Sequence, residues 1–215
     1  MELRRTANAG VLLKLDGISI LLDGVCREVA PYPATSPEEV SRLLACCPDV
    51  VAFSHTHMDH CDPAFSAAWQ RQTGRVILCP GEIPGCRTSN KIFHRGGVTL
   101  TPVESRHIGK VEPGLRHASF IIQGSRCIWF LGDASPLQWK GSSLPKPDLL
   151  IAPYAYASTP AAWNLTQSLG AEKVILLHLP PREKDTFGLW SAVEATAADA
   201  LGNVLLIPEI GEVIA

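Results

Sequence analysis

Short apolar runs rich in Val, Ile and Leu recur along the whole chain, and Gly, Pro, Asp or Asn bound them. Runs of this length and composition are typical of buried β-strands. The pattern predicts about ten strands, over residues 10–15, 18–23, 50–54, 75–79, 98–103, 119–123, 127–131, 148–152, 173–178, 204–207 and 212–214.

Four other segments, 37–45, 63–72, 160–169 and 191–201, are predicted to be helices. Ser36, Asp62 and Thr159 precede the first three, and each is followed by a proline. Hydroxyl and carboxylate side chains favour the N-cap position, and proline favours the first helical position. Gly170 and Gly202 follow the last two segments, as expected of helix ends.

The strand count indicates the architecture. About ten strands are too many for one open, strongly twisted sheet that does not split into two layers. Because helices alternate with strands, we expect an α/β fold with two facing mixed β-sheets and helices on the outer faces, a four-layer αββα sandwich. The length of 215 residues favours one domain over residues 1–215.

Charge and cysteine content argue against several classes of protein. The formal net charge is −2, without a long run of Lys or Arg, so neither a nucleic-acid nor an anionic membrane surface is predicted. No apolar run approaches the roughly 20 residues of a membrane span, and the first residues lack the apolar core of a signal peptide. Seven cysteines without a C-x-x-C pair favour reduced thiols. We therefore expect a cytoplasmic protein.

The segment His55-Thr56-His57-Met58-Asp59-His60 concentrates three imidazoles and one carboxylate directly after the predicted strand 50–54. Neutral imidazole is the commonest metal ligand in proteins. His55 and His57 are two residues apart on an extended turn and can share one ion. Asp59 and His60, past the bend, can face a second ion nearby. The segment therefore predicts a metal site.

Three further polar residues stand at or after the ends of predicted strands. Asp133 follows strand 127–131, His178 ends strand 173–178, and His107 follows strand 98–103 after a short connection. A carboxylate can bridge two cations, and two divalent ions about 3.5–4 Å apart can share a hydroxide. If the fold brings these strand ends to one edge, all of these residues can form one site.

These residues resemble the H-x-H-x-D-H…H…D…H signature of the metallo-β-lactamase superfamily, and the resemblance covers nearly the whole chain. Leu21-Leu22-Asp23-Gly24 is similar to an early strand end of that family, and residues 147–178 are similar to its closing strand–helix–strand unit. Asp62 and this closing unit look most like the branch that contains ascorbate-6-phosphate lactonase and related metal-dependent phosphodiesterases.

The resemblance implies the αββα sandwich and a site for two divalent metal ions. It implies seven ligands: His55, His57 and His107 for the first ion, Asp59, His60 and His178 for the second, and Asp133 as the bridge. It also implies that Asp59 is the catalytic residue, which orients a bridging hydroxide and passes a proton to the leaving group. Zinc is the first expectation, with manganese or iron as alternatives, because mixed histidine and carboxylate ligands admit all three.

The third histidine ligand has two candidates, since His107 and His117 both lie between the strands that begin at 98 and 119. His107 is favoured because it follows a strand end after a short connection and leaves the longer gap before Asp133. His117, Tyr154 and Tyr156 are candidate substrate contacts, although ordinary packing is the favoured role for the two tyrosines.

The sequence therefore favours a metal-dependent hydrolase that acts on a small phosphodiester or a lactone. A nuclease of the tRNA 3′-processing type is one alternative, weakened by the near-neutral charge. A metal- or ligand-sensing protein without turnover is another, and the presence of candidates at all seven ligand positions argues against it. We expect a small-molecule substrate and neither nucleic acid nor membrane as partner, with homo-oligomerisation left open.

Overall fold

The computed structural model describes residues 1–109, 113–198 and 204–214, and within them the chain forms fourteen strands and four α-helices. The strands are β1 (Glu2–Arg5), β2 (Val11–Leu15), β3 (Ile18–Leu22), β4 (Val50–Ala52), β5 (Ile77–Leu78), β6 (Thr88–Ser89), β7 (Phe93–Arg95), β8 (Val98–Glu104), β9 (Ala118–Gln123), β10 (Cys127–Phe130), β11 (Leu149–Pro153), β12 (Lys173–Leu177), β13 (Val204–Leu206) and β14 (Val213–Ile214). The helices are α1 (Pro37–Cys46), α2 (Pro63–Thr73), α3 (Pro160–Ser168) and α4 (Leu189–Ala198).

The strands pair into two mixed sheets of seven strands each within the described residues. The first sheet has the order β14-β1-β2-β3-β4-β5-β6, and the second has the order β13-β12-β11-β10-β9-β8-β7. Strands β3 to β6 are parallel in the first sheet, and β10 to β13 are parallel in the second. The segments that follow β4, β10 and β12 meet at one edge of the sandwich, where His60 lies 3.3 Å from Asp133 and 3.1 Å from His178.

Alternation along the strands divides the core into three apolar layers. In β2, Val11 and Leu13 face the second sheet and join the core between the sheets, while Leu12 points outward. Leu12 belongs to the cluster that contains Leu43 of α1 and Trp69 of α2. Side chains from the other face of the second sheet pack in the same way against Trp163 of α3, Trp190 of α4 and Val193 of α4. The predicted αββα sandwich is confirmed.

The helix starts agree with their sequence signals. Ser36, Asp62 and Thr159 accept hydrogen bonds from backbone N–H groups of the first turns of α1, α2 and α3, at 3.2, 2.8 and 3.2 Å. Each cap satisfies a donor that has no partner inside its own helix. Residues 199–201 of the fourth predicted helix, and Gly202 after it, lie outside the described residues.

Three strands were not predicted. β1 contains the polar segment Glu2-Leu3-Arg4-Arg5, and β6 and β7 have only two and three residues. Such strands lack the apolar run that identified the others, although each pairs with a strand close to it in sequence: β1 with β2, β6 with β5 and β7 with β8. The longest α-helix in the described ranges has 11 residues, and none of the described helices is both long and apolar enough to cross a bilayer.

Candidate metal centre

The segment 55–60 is a compact turn between β4 and α2. The backbone N–H groups of His60 and Cys61 both donate to the carbonyl oxygen of His57, at 3.0 and 2.9 Å. This turn carries His60 back over His55, and their ring centroids are 4.1 Å apart. Cys61 itself points into the core beneath α2, so the sulfur takes no part in the site.

The first group of candidate ligands is formed by His55, His57 and His107, whose ligand atoms all lie within 4.8 Å of one another. Nε2 of His55 is 2.9 Å from Nδ1 of His57. His107 donates from Nδ1 to the carbonyl oxygen of Ile108 at 2.6 Å, which leaves the lone pair on Nε2. That Nε2 atom is buried and has no hydrogen-bond partner among the described residues.

The second group is formed by Asp59, His60 and His178, with ligand atoms again within 4.8 Å of one another. Nε2 of His178 lies 3.1 Å from Oδ2 of Asp59 and 3.1 Å from Nε2 of His60. His178 adopts a left-handed backbone conformation, with φ of 65°. This conformation is rare for a residue with a side chain, and such strain concentrates at functional sites.

Asp133 lies between the two groups. Its Oδ2 atom is 3.3 Å from Nε2 of His60, 3.6 Å from Nε2 of His178 and 3.6 Å from Nε2 of His107. The preceding residue, Gly132, has φ of 53°, and a Cβ atom there would lie 2.4 Å from Cβ of Ser54. Only glycine therefore lets the loop after β10 come this close to the loop after β4.

The described side chains fit divalent metal ions. Two ligands that each lie about 2.0–2.1 Å from a tetrahedral ion are about 3.3 Å from each other. The nitrogen–nitrogen distances of 2.9 and 3.1 Å and the contacts of Asp133 are close to that value. Lone pairs that converge at such distances repel one another unless a proton or a cation lies between them.

Asp23, in the Leu21–Gly24 segment, also belongs to this arrangement, although no site role was predicted for it. The carboxylate is fully buried at the end of β3. It accepts hydrogen bonds from Ser54 N and Ser54 Oγ, both at 2.6 Å, and from Nδ1 of His60 at 2.8 Å. Ser54 Oγ also lies 2.9 Å from Nδ1 of His55. One carboxylate therefore fixes the ring orientation of two candidate ligands, so that both present Nε2 to the site.

Burial and charge determine the protonation of the site. Burial lowers the pKa of His55 well below its ordinary value, and the neighbouring His60 lowers it further. Burial also opposes a charge on His60, but Asp133 and Asp23 outweigh it and raise the pKa of His60 well above the usual range. For Asp133, burial favours the neutral acid, yet His178 and His60 hold its pKa well below the usual range. The carboxylates of this centre thus stabilise positive charge.

The three candidate substrate contacts, His117, Tyr154 and Tyr156, lie outside the two groups of candidate ligands. His117 accepts the backbone N–H of Asp133 at Nε2, 3.0 Å, and its Nδ1 bonds Ser105 Oγ at 2.8 Å. Both nitrogens are occupied within the fold, and burial lowers the pKa of His117 to about 3. The ring therefore positions the Asp133 loop, and its contact with a substrate stays a prediction. Tyr156 is fully buried, and its hydroxyl bonds Trp139 and Ala134. Tyr154 is half-buried, with its ring centroid 6.4 Å from that of His178.

Tyr32 is a second residue near the centre for which no role was predicted. Its ring packs edge-on against His178, with centroids 4.6 Å apart, and its hydroxyl donates to the carbonyl oxygen of His178 at 3.3 Å. The backbone N–H of His178 donates to the carbonyl oxygen of Asn8 at 3.2 Å. Tyr32 and Asn8 hold His178 from two sides. Neither lies in a motif with metal-ligand spacing, so no local signal identifies them.

Comparison with solved structures finds similar folds over almost the whole chain. An isothiocyanate hydrolase from Delia radicum gut bacteria has a TM-score of 0.71 at 18% identity, and the match covers 100% of this chain and 98% of that one. A metallo hydrolase from the archaeon Ignicoccus hospitalis has a TM-score of 0.70 at 19% identity, with 99% and 97% covered. A metallo-β-lactamase fold protein from Bacillus subtilis has a TM-score of 0.64 at 18% identity, with 99% and 98% covered.

The fold is therefore the metallo-β-lactamase fold. No family model matches the chain, and no curated protein matches it. The fold alone does not define a reaction; the side chains of the site determine the chemistry.

Proposed function

We propose that this protein is a metal-dependent hydrolase with two divalent ions at the candidate metal centre. One observation carries the proposal: Oδ2 of Asp133 lies within 3.6 Å of histidines from both ligand groups, His107 of the first and His60 and His178 of the second. A single carboxylate oxygen shared in this way has the arrangement expected of a ligand that bridges two ions. The fold neighbours that are described as metallo hydrolases support the same class.

The seven candidate ligands would hold the two ions, and Asp23 would keep His55 and His60 aligned. Two bound ions supply an activated hydroxide and polarise the bond under attack. Asp59 is the candidate for proton handling, because its carboxylate lies at the open side of the centre, with 14% of the side chain exposed. Burial opposes ionisation of Asp59, but the hydrogen bond from His178 and the charges of His60 and His178 together outweigh it and lower the pKa of Asp59. Asp59 is therefore ionised at neutral pH and able to accept a proton.

We propose zinc as the first candidate metal, and a small phosphodiester or a lactone as the substrate. The named activity of the Delia radicum gut bacterial enzyme adds isothiocyanates to the compounds to be screened. Isothiocyanates, like lactones, carry an electrophilic carbon. Cytoplasmic location and the absence of nucleic-acid and membrane partners stay predictions.

The test begins with metal content, measured by plasma mass spectrometry on protein purified without added metal or chelator. We expect about two ions per chain, falling to one or none in Asp133→Ala. His94→Ala is the matched control, because His94 lies on exposed β7 and should leave the metal content unchanged. The metal-loaded protein is then screened with phosphodiesters, lactones and isothiocyanates.

Two results would contradict the proposal. A native protein that contains no metal and takes up none on titration does not have this centre. A protein that binds two ions but hydrolyses none of the three substrate classes fits the sensing alternative instead.

A further inference from the structure

A cavity opens beside the metal centre, between the turn that follows β1 and the segment that follows His178. Its volume is about 410 Å³, within the range of pockets that hold small molecules. None of the seven candidate ligands lines it. Its apolar wall is formed by Pro33, Leu179, Pro180, Pro181, Trp190 and Ile210.

The buried end of this cavity carries a positive charge. Arg5 is only 4% exposed, and its guanidinium donates to the carbonyl oxygens of Ala7, Asn8 and Pro208 at 3.2, 2.9 and 2.7 Å. No carboxylate in the described ranges forms an ion pair with it. A buried charge without a counter-ion is costly. Burial lowers the pKa of Arg5 to about 10, partly offset by Glu209, so the group remains charged at neutral pH.

Donors at this end of the cavity are incompletely used. A guanidinium has five N–H donors, and the three bonds of Arg5 leave two. Asn8 is 3% exposed, and its Nδ2 has no hydrogen-bond partner within the part of the chain that the structure describes. An amide that is buried without a partner destabilises the fold. An occupant with acceptor oxygens would satisfy both residues.

The remaining charged residues of the cavity lie toward solvent. Glu183 and Glu209 are exposed, so water screens them. Arg182 stacks on the Trp190 ring at 3.8 Å and pairs with Glu194 at 2.8 Å. The buried donors of Arg5 and Asn8 therefore select the polar group of a ligand. The Trp190 ring and the prolines select the rest of the ligand.

We propose that this cavity binds a small organic carboxylate, with the carboxylate oxygens on Asn8 and Arg5 and an apolar or aromatic body against Trp190 and the prolines. Asn8 also contacts the metal centre, since its carbonyl oxygen accepts from the backbone N–H of His178. The binding itself requires neither a metal ion nor hydrolysis.

The test uses metal-free protein, so that no ion can bind the probe. The probe is 2-naphthoate, matched by the neutral 2-naphthamide and the cationic 2-naphthylmethylammonium. Nitrogen-15 NMR follows the side-chain amide of Asn8 and the indole N–H of Trp190, which donates to Pro180 at 2.7 Å. We expect saturable shifts of both signals with 2-naphthoate, and affinity at least about tenfold weaker for the other two probes.

Asn8→Asp places a carboxylate where the probe needs a donor, and we expect it to weaken 2-naphthoate binding by at least about tenfold. Asn164→Asp is the control, because it adds the same charge at an exposed position of α3 and should not change binding. If Asn8→Asp does not fold, Asn8→Leu removes the donors at similar volume and should weaken binding equally.

Unchanged affinity in the Asn8 variants, equal affinity for naphthoate and naphthamide, or no shift up to about 10 mM probe would overturn the proposal. Because the probe is titrated into metal-free protein, a negative binding result says nothing about how many metal ions the native protein contains. A chain without metal can still bind the probe, so this proposal and the proposed function fail separately.

Discussion

The buried side of the metal centre, formed by Asp23, Ser54, His55 and His60, is fully enclosed, whereas the open side retains exposed fractions of 14% for Asp59 and 13% for His107. On the buried side, hydrogen bonds to Asp23 determine where each ring points. On the open side, the His107 ring has one hydrogen bond among the described residues, to the carbonyl oxygen of the next residue. Hydrogen bonds therefore fix the ligand rings on the buried side, whereas fewer hydrogen bonds hold the open side. Changes on the two sides should affect different properties.

On the open side, Asp59→Asn should reduce hydrolysis by about 10²–10⁴-fold, because it removes the candidate proton acceptor. The amide keeps the size of the side chain and an oxygen that can still ligate an ion, so the unfolding free energy should change little and most of the metal should stay bound. Steady-state rates on the best substrate of the screen, beside metal content, measure both. Activity that survives the change would show that Asp59 does not handle the proton.

On the buried side, Asp23→Ala should lower the free energy of unfolding by about 3–5 kcal/mol, as expected when one partner of a buried ionic network is removed. Ser54 and His60 would lose their common acceptor. Denaturant unfolding of metal-free protein gives the number, with Asp59→Ala as the matched carboxylate deletion on the open side. Equal destabilisation by the two variants would contradict the division between the sides.

Gly132→Ala tests the close approach of the loop after β10 to the loop after β4, next to the buried side of the centre. The new Cβ would lie 2.4 Å from Cβ of Ser54 at a residue with φ of 53°, and we expect a loss of about 1–3 kcal/mol from overpacking in addition to the cost of the conformation. Gly141→Ala is the control, since its φ is 72° and nothing lies within 4 Å of the new atom. The difference in unfolding free energy between Gly132→Ala and Gly141→Ala gives the cost of the steric overlap alone.

Asp185→Ala should have a small effect on stability, because Asp185 belongs to neither side of the metal centre. Asp185 accepts backbone N–H groups at the start of α4, the shortest bond coming from Trp190 at 2.8 Å, and these bonds lower its pKa. A lowered pKa means that the stabilisation is present above the ordinary value of 3.8 and is lost as the pH falls through the lower, folded-state value. We expect a slightly lower melting temperature at pH 7, and a difference from the native chain that vanishes in strong acid. A difference that persists unchanged in acid would exclude the carboxylate as its cause.

The sequence predicted the αββα architecture, because apolar runs and helix caps are local signals. It also placed Asp133 and His178 at strand ends, where the structure brings them beside residues 55–60. The role of Asp23 could not be predicted from a local pattern. It depends on hydrogen bonds with Ser54 and His60, which lie 31 and 37 positions further along the chain. Choosing between His107 and His117 likewise needs geometry, because both nitrogens of His117 are occupied within the fold. The lactonase-like branch stays a prediction.

The contact between Asp59 and His178 joins residues 119 positions apart. An ion held by both would act as a reversible cross-link in the chain. A covalent link that closes a loop of about 100 residues removes chain entropy equivalent to about 4.7 kcal/mol. Depletion of metal in the cell would then shorten the lifetime of the protein against proteases, independently of any lost reaction.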